Sequence, residues 1–395
     1  MTLRDKLAVK IAWLINLNPE KKDRTIKRLR GKKPYLYAIT SRQFQKAFFC
    51  LRTDKDGKST TKFVIRQAAV GEDTPNEVLP NDILPDGAVP NETVSGATAT
   101  KNYKARLNAL SASYRTSISN IISNIRSKTP PPTIEIYSPK QKTGSKIVYY
   151  IHGGGFIAPL TAIHRQLHSI LSRVCGGAAI AFIDYRTAPA HIYPAAHDDA
   201  VEGYEFLLKQ GYSSQDIIIM GDSAGGNLAI SLLLKLRDEG KELPLAAVTF
   251  SAWTDLTASS QSYRDNYGSD AVFGRKGIEN DLEERRGAIM ASSLYSYAGE
   301  HDRTDPKLSP FFAEFHDLPP ILMIAGEKEM PLDDTLLVAK KIEDAGGIAE
   351  VVIGKGMFHV YPLLHSLSPI AKQAFNEIER FITKVTKVNR QTDDQ

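Results

Sequence analysis

The chain has 395 residues, 42% of them hydrophobic and 24% charged, with a formal charge of +5. These values lie close to the globular average and exclude a disordered chain or a membrane-embedded body, while the length fits one large α/β domain with additions, or two domains. Nucleic-acid binding is disfavoured too, because much of the basic excess sits in residues 1–33 rather than across the body.

Residues 1–130 read as an N-terminal, mainly helical cap or extension. Apolar residues recur at helical spacing over 3–17 (Leu3, Leu7, Ile11, Leu14, Ile15) and again over 101–127, with two extended pieces, "YLYAIT" and "KFVIRQ", between them. The first helix is basic on one side. It reads first as a helix docked on the protein's own core, and second as a peripheral membrane contact. Its apolar run is too short to span a bilayer and lacks a signal-peptide pattern, so a cytoplasmic location is expected. Residues 70–100 are rich in Pro, Gly, Asn and Asp and read as a long loop, in which Asn91 of the single N-x-T sequon is expected to be unmodified. Cys50 and Cys175 stand in no metal-ligand or CxxC spacing and read as buried free thiols in a reducing compartment.

After "TPPP" at 129–132 the text changes. Over 131–386 short apolar runs ("TIEIYSP", "KIVYYI", "AAIAFIDY", "DIIIM", "LAAVTFSAW", "PPILMIAGE", "AEVVIGKG") alternate with helix-length amphipathic segments. This is the pattern of an α/β domain with a mostly parallel central sheet, and the runs are apolar enough to require helices on both faces. A last helix, "PIAKQAFNEIERFITKV", is expected to give way to a frayed polar tail over 387–395.

Two glycine clusters fall at strand ends. "DIIIMGDSAGGNLAISLLLKLRDEG" places Ser223 inside G-x-S-x-G between an apolar strand and a long helix, the context in which a serine is lifted above a sheet edge as a nucleophile. A hydroxyl needs a base and a group to orient that base. Such sites order their residues as Ser, acid, His, which leaves His301, His316, His359 and His365. His359 is chosen, because it lies in the loop directly after the strand "AEVVI". For the acid, Asp333 and Asp334 have a local role at the start of a helix, whereas Glu329, just before Pro331, has none. Glu329 is therefore favoured, with Asp333 as the alternative. The other cluster, "HGGGF", offers the bare amides of Gly154 and Gly155, which with the amide of Ala224 suit an oxyanion hole. No Lys-Ser/Thr follows it, as a phosphate-binding loop would require.

With "HGGGF" (152–156), "DYRTAPAHIYPAAHDD" (184–199), "GDSAGGNLA" (221–229), "SAWTDLT" (251–257), "SPFFAEFHDLPPILMIAGEKEMPLDD" (309–334) and "GMFHVYP" (356–362), the chain resembles the hormone-sensitive-lipase-like carboxylesterases of the α/β-hydrolases over roughly 133–385. The resemblance implies the α/β-hydrolase fold, Ser223 as nucleophile, His359 as base, an oxyanion hole from the HGGG glycines plus Ala224, and a helical cap before the sheet. Many relatives carry aspartate where Glu329 stands; the Glu-x-x-Leu-Asp-Asp pattern here matches a subgroup. The expected reaction is cleavage of neutral, apolar carboxylic esters through an acyl-enzyme, with no metal or organic cofactor and with the ester as the small-molecule partner. Two alternatives are weighed against it, a non-catalytic small-molecule receptor on the same fold and a membrane-associated lipid-ester hydrolase. A homodimer is entertained as the assembly.

Overall fold

The computed structural model describes residues 64–69, 132–139, 144–274 and 293–393. The helices expected over 3–17 and 101–127, the piece "YLYAIT", the loop over 70–100, Asn91, Cys50 and the basic membrane-contact segment all lie outside these residues, as does every part of the expected cap over 1–130 except residues 64–69. Part of "KFVIRQ" does not: it forms strand β1 (Val64–Ala69).

Each apolar run after 131 becomes a strand: β2 (Thr133–Ser138), β3 (Ile147–Ile151), β4 (Ala179–Asp184), β5 (Ile217–Asp222), β6 (Ala246–Phe250), β7 (Ile321–Gly326) and β8 (Ala349–Gly354). They form one eight-stranded sheet in the order β1-β2-β4-β3-β5-β6-β7-β8. The six strands from β4 to β8 run parallel, while β2 pairs antiparallel with β4 and parallel with β1. Between the strands lie α1 (Ala162–Arg165), α2 (His168–Val174), α3 (Ala195–Lys209), α4 (Ala224–Asp238), α5 (Ser262–Asp265), α6 (Leu332–Asp344) and α7 (Pro369–Asp393).

The two-residue period of a strand sends alternate side chains to opposite faces. Ile147, Tyr149 and Ile151 of β3 therefore join a core with α3, α4 and α6, while Val148 and Tyr150 join a second core with α2 and α7. Every residue of β3, β5, β6 and β7 is buried, as a sheet covered on both faces requires. On α3 the inward residues Ala196, Ala200, Tyr204 and Leu207 follow the helical repeat, and on α7 Phe375, Ile378, Phe381, Ile382 and Val385 do the same.

One boundary differs from expectation. The last helix does not stop near Val385 but continues to Asp393, through most of the polar tail. No glycine or proline lies between 386 and 393 to end it, and polar residues such as Lys, Arg and Gln are good helix formers. Among the described residues no helix is long and apolar enough to cross a membrane.

Candidate active site

The site is assembled at the carboxyl ends of the parallel strands, where loops after β3, β5, β6, β7 and β8 converge. Between β5 and α4 the chain turns within a single residue, Ser223, at φ 53° and ψ −118°. A non-glycine residue held there costs about 1–3 kcal/mol, so its surroundings must enforce it. They do. The Ser223 amide donates to the Phe250 carbonyl at 2.9 Å, and its own carbonyl accepts from Trp253 N at 3.0 Å and Asn227 N at 3.1 Å. The flanking glycines are steric necessities. A Cβ at Gly225 would collide with the carbonyl oxygens of Ile151 and His152, and one at Gly226 would sit 2.8 Å from the Ala252 Cα.

This turn presents the Ser223 hydroxyl to His359, with 2.9 Å between Oγ and Nε2. His359 reaches it from the loop after β8, which crosses β7 at Gly326. A Cβ there would lie 2.6 Å from the Phe358 carbonyl oxygen and 2.7 Å from that of Met357. On the far side of the ring, Nδ1 lies 3.5 Å from Glu329 Oε2, an ion-pair separation rather than a short hydrogen bond. Ser223, His359 and Glu329 are all buried. Asp333 is placed elsewhere: its carboxylate accepts the Ser262 amide at 2.8 Å, and its amide donates to the Ser262 hydroxyl, tying α6 to the start of α5. Asp334 accepts from the amides of Thr254 and Asp255 and from the Tyr263 hydroxyl. His301 and His316 are exposed, and His365 packs against Phe375.

The HGGG loop follows β3. Gly154 at φ 118° and Gly155 at φ 63° adopt backbone conformations that side chains resist. The His152 imidazole Nδ1 lies 2.6 Å from the Gly153 carbonyl oxygen, and the Gly154 carbonyl accepts from Ile157 N at 3.2 Å and Ala158 N at 3.0 Å. In a planar trans peptide the N–H points opposite to the C=O. Anchoring these two carbonyls therefore aims the amides of Gly154 and Gly155 away from the loop. Among the described residues neither amide, nor that of Ala224 at the first position of α4, has a hydrogen-bond acceptor. Three unclaimed donors, one at the positive end of a 15-residue helix, suit an anion.

Beneath the loop, Asp222 Oδ1 takes the Gly153 amide at 3.0 Å and the Tyr150 hydroxyl at 2.8 Å, with His164 Nε2 at 3.4 Å. Burial works against charge on Asp222, yet His164, Tyr150 and the Gly153 amide together hold its carboxyl below the usual range. The loop carrying Glu329 is held from three sides. Asn266 donates to the Glu329 carbonyl at 2.7 Å, Asp270 accepts the Met330 amide at 2.9 Å, and the Ser251 hydroxyl meets the Glu329 carboxylate at 2.6 Å. Burial pushes the Asp270 carboxyl up. Phe273 lies 4.7 Å from the His359 ring, and in the core behind Ser223 the buried Trp253 contacts Phe156 and Tyr295. Sequence reading passed over His152, Asp222, Ser251, Asn266 and Asp270 as individual residues. His152, Asp222 and Ser251 fall inside quoted blocks, but Asn266 and Asp270 carry no motif. Among the described residues no group of three or more His, Cys, Asp or Glu is arranged to hold a metal ion.

A family model described as the alpha/beta hydrolase fold matches residues 148–363. An esterase of Acinetobacter venetianus is 34% identical over 245 residues, covering 62% of this chain and 77% of that one. An acetyl-hydrolase of Streptomyces hygroscopicus is 30% identical over 254 residues, covering 64% and 80%. Among solved structures, an esterase from the bacterial hormone-sensitive lipase family superposes with a TM-score of 0.56 at 32% identity, covering 62% of this chain and 79% of its own.

Proposed function

The chain belongs to the alpha/beta hydrolase family, in its hormone-sensitive-lipase-like group, and from that premise we propose how this carboxylic ester hydrolase works. Ser223 Oγ attacks the ester carbonyl carbon while its proton passes to His359 Nε2. Glu329 orients the imidazole through Nδ1 and stabilises the imidazolium. The amides of Gly154, Gly155 and Ala224 receive the negative charge that develops on the carbonyl oxygen. Collapse of the tetrahedral species expels the alkoxide, which takes the proton from Nε2 and leaves Ser223 acylated. Water then loses a proton to His359, attacks the acyl carbon and releases the acid, and the proton returns to Ser223.

The single observation that carries this reading is the 2.9 Å contact between Ser223 Oγ and His359 Nε2, made by residues 136 positions apart in the chain. The partly exposed Phe273, 4.7 Å from the His359 ring, supports a neutral, apolar acyl group. The names of the relatives favour an enzyme over a receptor. Turnover of p-nitrophenyl acetate, butyrate and hexanoate by wild type and Ser223→Ala tests it. The variant is expected to lose at least about a thousandfold in kcat, and to escape fluorophosphonate labelling. Turnover within tenfold of wild type would refute the nucleophile. For the assembly, the outer edge of β8 supports a homodimer. It is unpaired among the described residues, and β8 carries Val351 and Ile353, each 38% exposed, with Ile348 just before it at 53%.

A further inference from the structure

Ser251 lies one residue beyond the end of β6, fully buried and in the left-handed region at φ 50°. Its amide is fastened to β7 by a 2.6 Å bond to the Ile324 carbonyl. Its hydroxyl stands between two loops, 2.9 Å from the Val360 amide nitrogen and 2.6 Å from Glu329 Oε2. The direction of both bonds follows from chemistry. A backbone N–H only donates, so Oγ accepts from Val360, and the single hydroxyl proton goes to the carboxylate.

Glu329 Oε2, the oxygen that Ser251 holds, is also the one that faces His359 Nδ1. The other oxygen, Oε1, has no hydrogen-bond partner among the described residues. A glutamate has one more rotatable bond than an aspartate, and here the carboxylate end of that longer arm is set by one hydroxyl. Because Val360 follows His359 directly, a ring closes: Ser251 Oγ to Glu329 Oε2, Oε2 to His359 Nδ1, and along the chain through Val360 N back to Ser251 Oγ. Neither the acid loop nor the histidine loop shifts without opening it.

We propose that Ser251 is a positioning residue for ester hydrolysis, holding the Glu329 carboxylate in line with His359 and locking the two loops in register. It touches no substrate and acts through Glu329. The inference rests on the assignment of Glu329 as the acid. A misplaced acid leaves binding intact and slows the steps that move a proton, so the effect belongs in kcat.

The test is a double-mutant cycle with p-nitrophenyl butyrate on wild type, Ser251→Ala, Glu329→Gln and the double variant. Ser251→Gly is the second probe, because glycine accepts the positive φ without strain. Removing the hydroxyl is expected to lower kcat at least tenfold with KM within threefold, and to lower it by no more than threefold in the Glu329→Gln background. A structural role would cost the same in both backgrounds. A smaller loss in the first background, a larger one in the second, or a change confined to KM overturns the inference alone. If Glu329→Gln by itself turned over at the wild-type rate, the acid assignment would fall, and this inference with it.

Discussion

Glycine 225 shows how one missing atom builds a site. The carbonyls of Ile151 and His152, where β3 runs into the HGGG loop, occupy the space its Cβ would need. Gly225→Ala must therefore push apart the Ser223 turn and the loop after β3. We expect esterase activity to fall by at least a hundredfold and stability by about 1–3 kcal/mol or more in urea unfolding. Gly268→Ala is the control. No atom lies within 4 Å of its Cβ position, so stability should hold within about 0.5 kcal/mol. The choice between two acids belongs to this scale as well. Asp333 is engaged at Ser262, so Asp333→Asn should keep kcat within about fivefold, while Glu329→Gln should lower it by about a hundredfold or more. The reverse pattern would move the acid to Asp333. These two residues also mark what a sequence discloses. The place of Asp333 and Asp334 at a helix start is legible, since both do lie in the first turn of α6, but the local capping role is not what they perform: no side chain caps this helix, and both carboxylates bond to residues 71–80 positions away. Ser251 was not legible: its partners are 78 and 109 positions away, and no local pattern separates it from any other serine at a strand end.

Among the elements, α6 carries a group whose protonation bears on folding. Asp334 is fully buried; burial first, and then the charge of Asp255, push its carboxyl well above the ordinary range. Because the folded pKa is raised, the folded state holds this proton more tightly. The stability so gained is complete below the unfolded value of about 3.9 and fades as pH rises through the folded one. The melting temperature of wild type minus that of Asp334→Asn should therefore decline steadily from about pH 4 upward, and a flat or rising difference would contradict the burial argument. The strands were legible as elements because runs such as "DIIIM" and "ILMIAG" are too apolar for anything but a covered sheet, and they became β5 and β7. Strand direction was not. β2 has the same apolar character as β4, and only the connections reveal that the two run antiparallel. The end of α7 was missed for a related reason: polar text was read as a loop, although polar residues that favour helix need a breaker to stop them.

For the whole molecule, the eight-stranded sheet fixes which loops meet. Five loops gather at one edge because parallel strands present all their carboxyl ends on the same side, and so residues from 152 to 359 share one small volume. The other consequence of the topology is an open flank at β8. Replacing Val351 and Ile353, both 38% exposed, by glutamate should turn a dimer into a monomer in light scattering after gel filtration, with esterase activity per chain unchanged within about twofold. A monomeric wild type at micromolar concentration would remove the proposal. There remains a corollary of the HGGG loop and the start of α4. The donors offered there are main-chain atoms, shared by every amino acid except proline. A complete library of side-chain exchanges would therefore leave their contribution invisible, registering only clashes and lost supports. Measuring it takes chemistry on the polymer itself, such as exchanging a single peptide nitrogen for oxygen at Gly155 by semisynthesis.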